Sequence, residues 1–297
     1  MAPVDPGATA PAGAALCRAM SIEGEDRRHN RAIVERFGRT PKDLPWRALD
    51  RARYPQAALD LAWDAARKLA LGEYSAVHLF ARMVSNMTLA GVPIDLLAMA
   101  SRIPSDEIRH ADFAMRFAAA LSDAELGVGL NAGTAPAESA PVTLAGLDDS
   151  IIGVVAIGET LACALLGAAK DGARDPLARA MYASILSDEI SHARFGWRYL
   201  AWRARSWSLA EQKHAADVAG EMVASIEMRF SVGRDAPRAA RAAARALGVV
   251  DTPTQRGIVA SIMEDEIVPA LDALGLGASH AWRVRQRAVP LGTRSRA

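Results

Sequence analysis

The chain has 297 residues, 51% of them hydrophobic, a formal net charge of +1 and two cysteines. That length and apolar content suffice for an ample core in one large domain, or in one domain with an extension. The near-zero charge removes any global case for a nucleic-acid or anionic-membrane partner. Cys17 and Cys163 are too few and too far apart for a disulfide framework.

In chain order, residues 1–20 read as a disordered tail rich in Ala, Pro and Gly. The tail has neither a basic n-region nor an apolar h-region, so it does not read as a secretory signal, and cytoplasm is the expected location. Residues 21–55 are polar and punctuated by Pro. They are expected to wrap the domain, with a short helix near 30–37. Abundant Ala, Leu and Met predict helices from there on. The first runs over 56–89 and ends at Gly91-Val92-Pro93. The second runs over 94–121, and Pro104 should kink or restart it. A Gly/Ala/Pro/Ser stretch, 122–146, forms one long crossover. The third helix runs over 147–170 and, after a turn at 171–176, the fourth runs over 176–204. Residues 205–280 add helices near 208–231, 235–247 and 253–274, read as a cover or a dimer surface. Trp197, Trp202 and Trp207 should pack against that cover, with an oxidising relay as the alternative. Residues 281–297 form a basic tail, solvated or in contact with an acidic carrier protein.

The chemistry lies in the four helices of residues 56–204. Ser105-Asp106-Glu107-Ile108-Arg109-His110-Ala111 returns as Ser187-Asp188-Glu189-Ile190-Ser191-His192-Ala193. In each copy Glu and His stand three apart, on one face of a helix. Each copy follows a lone Glu: Glu107 lies 34 residues after Glu73, and Glu189 lies 30 after Glu159. Folding each pair about its turn signal leaves an arm mismatch of about 3–6 Å at ~1.5 Å per residue, so the two Glu of each hairpin reach a similar height. Two lone Glu and two Glu-x-x-His motifs are the means by which a four-helix bundle builds a two-metal site.

Glu159 is the most telling of the six. It sits alone in Ile151–Ala169, a segment apolar all round and long enough to span a bilayer. A helix of that kind is buried in protein or lipid, and a lone buried carboxylate needs a partner. The other three Glu and two His supply one without a membrane. Each residue also has a plainer reading: a solvated helix face for Glu73 or either Glu-x-x-His, and a salt bridge to Arg for Glu159. Cys163, one turn after Glu159, either lines the pocket or is a small core residue. Asp106 and Asp188 could each accept the outer ring proton of the opposite hairpin's His, or simply pair with Arg109 or Arg194.

The pattern Glu…Glu-x-x-His…Glu…Glu-x-x-His, over about 56–203, resembles the ferritin-like di-iron carboxylate superfamily. The resemblance implies an all-α, ferritin-like four-helix bundle holding two Fe ions, with a mixed Mn/Fe pair as an alternative, and O2 as co-substrate. It implies that Glu107 and Glu189 bridge the metals as the catalytic carboxylates. Glu73 with His110, and Glu159 with His192, would be the terminal ligands. Subfamily marks are missing: Ile185 stands where arylamine N-oxygenases carry an extra His, and Ala114 where the ribonucleotide reductase radical subunit carries Tyr. Rubrerythrins usually append a four-Cys iron site, which two cysteines cannot make. Three functions are expected to compete. The first is a di-iron oxidase, hydroxylase or desaturase acting on a small or carrier-bound substrate with an electron donor. The second is an iron-oxidising or peroxide-scavenging protein, and the third a structural bundle that binds a partner.

Overall fold

Pro55 closes an extended approach, and after it nothing interrupts helix propagation until Gly91. Residues Gln56–Leu89 accordingly form one helix of 34 residues, α1. It stops in a glycine cap. Gly91 takes φ 70°, its N–H reaches the Thr88 carbonyl (3.3 Å) and the Val92 N–H reaches that of Met87 (3.0 Å), the pairing of a Schellman motif. The computed structural model describes residues 44–122, 143–230 and 236–285, and every regular element among them is helical.

The expected second helix is two. Ile94–Ala100 forms α2 and Ile103–Leu121 forms α3, with Pro104 in the first turn of α3. Proline has no N–H and its ring clashes with the carbonyl four residues back, so the helix restarts at Ser101–Arg102. The expected crossover falls almost wholly in 123–142, outside the described residues. So do the tail 1–20, the short helix near 30–37 and the arginines beyond Arg285.

The third helix differs most from expectation. Thr143 caps Leu144–Ser150 (α4), accepting from the Gly146 N–H at 3.1 Å. The chain then continues without a break through a π-helical segment, Ile151–Glu159, into Thr160–Gly172 (α5). This run, Leu144–Gly172, has a mean hydropathy of 2.1 and is long and apolar enough to cross a membrane. Half of its apolar window is buried inside the protein, where Ile151, Ile152, Val155 and Ile157 are core residues. The remainder is partly exposed, so the segment is not buried all round. Asp175 caps Pro176–Arg203 (α6) by accepting from Leu177 and Ala178.

Helix α1 packs along α3, α5 and the π segment pack along α6, and α3 meets α6. Gly196 lets α6 close on the π segment: a Cβ there would lie 2.9 Å from the Ala156 nitrogen. The C-terminal extension comprises α7 (Leu209–Ser225), α8 (Arg238–Arg245), α9 (Thr252–Ile262), a second π segment (Met263–Ile267), α10 (Val268–Ala273) and α11 (Ala278–Val284). Helix α7 covers the π segment and α8 lies on α1. Helix α11 takes up the start of the stretch expected to be a tail, and Arg285 there bonds Glu227 at 2.7 Å.

A buried polar knot fastens the extension. Arg203 is 1% exposed. It donates to Asp148 (3.0 Å), Ser206 (3.0 Å) and Glu211 (2.9 Å), while the Trp207 indole donates to Asp148 at 2.8 Å. Trp197 donates to Thr160 (3.0 Å) and Trp202 meets Tyr199 edge-on. All three tryptophans pack against the larger core, as the packing reading expected.

That core is in two parts. One apolar cluster contains Phe80, Met83, Ile103, Val155, Phe195 and Tyr199. The other contains Ala66, Phe113, Phe117, Leu166, Met181 and Tyr182. On α1, α3 and α6 the chain passes from one cluster to the other through a short polar interval. Glu73, Glu107, His110, Glu189 and His192 all fall in those intervals.

Candidate metal centre

The intervals meet in one layer. Glu107, His110, Glu189 and His192 are each no more than 2% exposed, and Glu73 and Glu159 are half-buried. Ligand atoms of Glu73, Glu107, His110 and Glu189 lie within 4.8 Å of one another, and so do those of Glu159, Glu189 and His192. Glu189 belongs to both groups. Glu107 reaches the second as well, its Oε1 standing 3.3 Å from His192 Nδ1. All six residues expected as ligands therefore converge. The other histidines do not: His78 and His280 are exposed, His214 pairs with Asp149 at 2.8 Å, and His29 lies outside the described residues.

Both imidazoles are oriented alike. His110 Nδ1 faces Glu189 Oε1 (3.0 Å), Glu73 Oε2 (3.7 Å) and Glu107 Oε2 (3.8 Å). His192 Nδ1 faces Glu189 Oε2 at 2.9 Å. The outer nitrogens reach across the repeat: His110 Nε2 to Asp188 Oδ2 (3.2 Å) and His192 Nε2 to Asp106 Oδ2 (3.3 Å). Since an ionised carboxylate only accepts, each Nε2 donates. That fixes the ring and presents Nδ1 inward. The expected Arg pairing is present too. Arg109, 4% exposed, donates through one Nη2 to Asp106 (2.8 Å) and Asp188 (2.6 Å). Arg109 therefore ties together two carboxylates of different hairpins, a role the sequence did not reveal.

Charges crowd here and shift one another's proton affinities. Burial pushes Glu73 up to about 8, against the pull of His110. Burial, with the Glu189 and Glu107 charges, holds Glu159 well above the usual carboxylate range. Burial also opposes charge on Glu107 and Glu189, but hydrogen bonds from His110 and His192 outweigh it and leave both low. Burial likewise disfavours charged imidazoles, yet the surrounding carboxylates win. Asp106, Glu107 and Glu189 take His192 up to about 11, and Asp188, Glu107 and Glu189 hold His110 well above its ordinary value. Without metal, protons do the neutralising.

The donor set fits metal ions better than it fits protons. Glu107 Oε1 and His110 Nδ1 are buried without a well-formed hydrogen bond, an expensive arrangement unless something else occupies the space between them. Carboxylate oxygens with two imidazoles and no thiolate suit divalent first-row metals such as iron, manganese or zinc. Cys163 is partly buried, and burial with the Glu189 and Glu159 charges pushes its thiol up to about 12. The π-helical end at Glu159 went unpredicted, because its residues are those of any apolar helix. Such bulges often sit at functional sites.

A scan against protein-family models, a search of curated proteins and a search of solved structures each return no match to this chain.

Proposed function

We propose that this chain is a di-iron, oxygen-activating oxidoreductase of ferritin-like design, acting on a small or carrier-bound organic substrate with electrons from a donor protein or reductant. In this reading α1, α3, α5 with its π segment, and α6 form a four-helix bundle. The carrying observation is the pair of ligand groups that share Glu189, each with its His held by the Asp of the other hairpin. A surface acidic patch would have no need of that crossed arrangement.

Glu107 and Glu189 would span the two ions, Glu73 and His110 would hold one, and Glu159 and His192 the other. Two ferrous ions, or a mixed Mn/Fe pair, would supply electrons and open positions for reducing O2. Four carboxylates balance the charge of two divalent ions if both His are neutral, which lowers the cost of burying the site. Asp106 and Asp188 keep the Nε2 protons in place, so the Nδ1 lone pairs point inward. Arg109 offsets the two aspartates.

A cavity of about 430 Å3 touches Glu73, Glu107, Glu159 and Glu189, which favours an organic substrate over simple iron handling. The test is metal analysis of protein purified without chelators, followed by oxygen uptake with reductants and a search for hydroxylated or desaturated products. Two irons per chain, oxygen uptake and an oxidised product are expected. Uptake without an organic product would place the chain with iron-oxidising or peroxide-scavenging proteins. Absence of metal would leave a structural bundle.

A further inference from the structure

Two cavities adjoin the acidic layer. The larger, about 430 Å3, is lined by its four glutamates and also by Lys68 and Gly72, both exposed, which mark its mouth. The smaller, about 240 Å3, has no polar side chain in its wall; Ile157, Leu161, Leu165 and Ile226 are typical. The two share Gly153, Gly158, Ala162 and Met222. Met222 comes from α7, so the extension closes this side of the site.

The partition between the chambers is thin. A Cβ on Gly153 would collide with Met222 Cε, so the Met222 side chain fills the place a side chain at 153 would take. Methionine has three rotatable bonds and adapts to irregular space. A Cβ on Gly158 would meet only the Gly153 carbonyl oxygen, at 3.3 Å. Any larger side chain at 158 would therefore grow into the cavities. Lys68, the cation among the lining residues of either cavity, is already paired with Asp64 at 2.9 Å. An anionic ligand would therefore find no unpaired cationic side chain in the lining of either cavity. In the smaller chamber a charge of either sign would find no polar side chain to replace the water it gives up.

We propose that the two chambers are one substrate site for a small, uncharged, predominantly apolar molecule. The reacting end lies in the outer chamber beside the glutamates and the apolar end passes Met222 into the inner one. This rests on the metal reading above for what happens to the reacting end, but not for binding. Ligand pockets of roughly 300–1,000 Å3 lined mainly by apolar groups are the usual form of small-molecule sites.

The test is calorimetric titration of the full chain, metal-free and after incubation with Mn2+, using toluene, butylbenzene and benzoate as probes. Saturable binding of both hydrocarbons is expected, with benzoate at least about tenfold weaker in the metal-free protein. Gly158→Leu should weaken both hydrocarbons by about tenfold or more, and Met222→Ala should improve butylbenzene relative to toluene. Should Gly158→Leu fail to fold, Ala162→Phe, which lines both chambers, carries the same expectation. No saturable hydrocarbon binding, equal affinity for benzoate, or unchanged affinity in the filling variants would overturn the proposal. Protein that takes up Mn2+ but binds neither hydrocarbon refutes the pocket alone. Protein that binds them with the expected variant pattern but takes up neither Mn2+ nor, under anaerobic conditions, Fe2+ supports the pocket and refutes the metal reading.

Discussion

The two hairpins carry the same candidate ligands on different backbones. In the first, Glu73 sits in the uniform helix α1, between exposed Gly72 and Tyr74. In the second, Glu159 ends a π-helical segment whose other residues are almost all core. Within the repeated heptapeptide one position differs: Arg109 in the first copy is Ser191 in the second. Arg109 is buried and serves both aspartates, whereas Ser191 is exposed. Repetition supplies the ligands, and departures from repetition supply the lock and the cavity. Both lone glutamates follow a glycine, Gly72 or Gly158, and both glycines line the larger cavity.

The largest expected effect tests the shared residue. Glu189→Ala should empty both metal positions, since Glu189 belongs to both ligand groups, while Glu73→Ala should weaken mainly one. Metal content after gel filtration reads this directly, and equal losses in the two variants would remove the distinction between a shared and a terminal ligand.

Arg109 and Ser191 sharpen the comparison further. Arg109→Met should destabilise the metal-free protein by about 3–5 kcal/mol, because it strands buried carboxylates without their cation. Ser191→Ala should stay within about 0.5 kcal/mol. Denaturant titration checks both, and similar small effects would mean that Arg109 is not the lock.

Metal-free protein should also lose stability as pH rises. Glu73, at about 8, and Glu159, raised from 4.5, hold protons in the folded state that the unfolded chain releases. His192, at about 11, and His110 likewise retain protons that free imidazoles lose near 6.5. All four act in the same direction: the native state binds more protons, so stability falls from about pH 5 upward. Glu107 and Glu189 are held low and act oppositely in acid, where stability falls as they protonate. The melting temperature of metal-free protein should therefore be highest near pH 5 and lower at pH 8. Metal, which replaces those protons, should flatten the curve. A metal-free melting temperature that climbs from pH 5 to 8 would contradict the proton inventory.

Asp106→Ala and Asp188→Ala should each weaken metal retention by about ten- to hundredfold, the usual cost of losing the group behind a liganding His. Asp106→Ala should act on the ion held by His192, and Asp188→Ala on the one held by His110. A last contrast concerns packing alone. Gly196→Ala should cost about 1–3 kcal/mol by forcing α6 away from the Ala156 backbone. Ala193→Gly, three residues before it on the same helix, should cost only about 1 kcal/mol from helix propensity.

Much of this was legible in the residues alone. Helical period, turn residues and caps are local properties, so α1 was read to the residue and the ends of α6 nearly so. The repeated Glu-x-x-His and its two preceding glutamates were legible because a helix places residues three apart on one face whatever surrounds it. The crossed Asp–His pairs followed from the same repetition. Three features were not legible. A π segment uses the same apolar residues as an α-helix, and only packing against α6 and α7 decides the local hydrogen-bond step. Arg109 was legible as a partner for an aspartate but not as one shared by both, because its two partners stand 3 and 79 residues away and meet only once the hairpins are packed. The cavity needed α7 from outside the four helices, since Met222 closes a wall that no local pattern foretells. Local sequence determined which ligands exist and on which helical faces. Tertiary packing decided how they are held, how much water reaches them and what space lies beside them, because those depend on side chains brought together from distant parts of the chain.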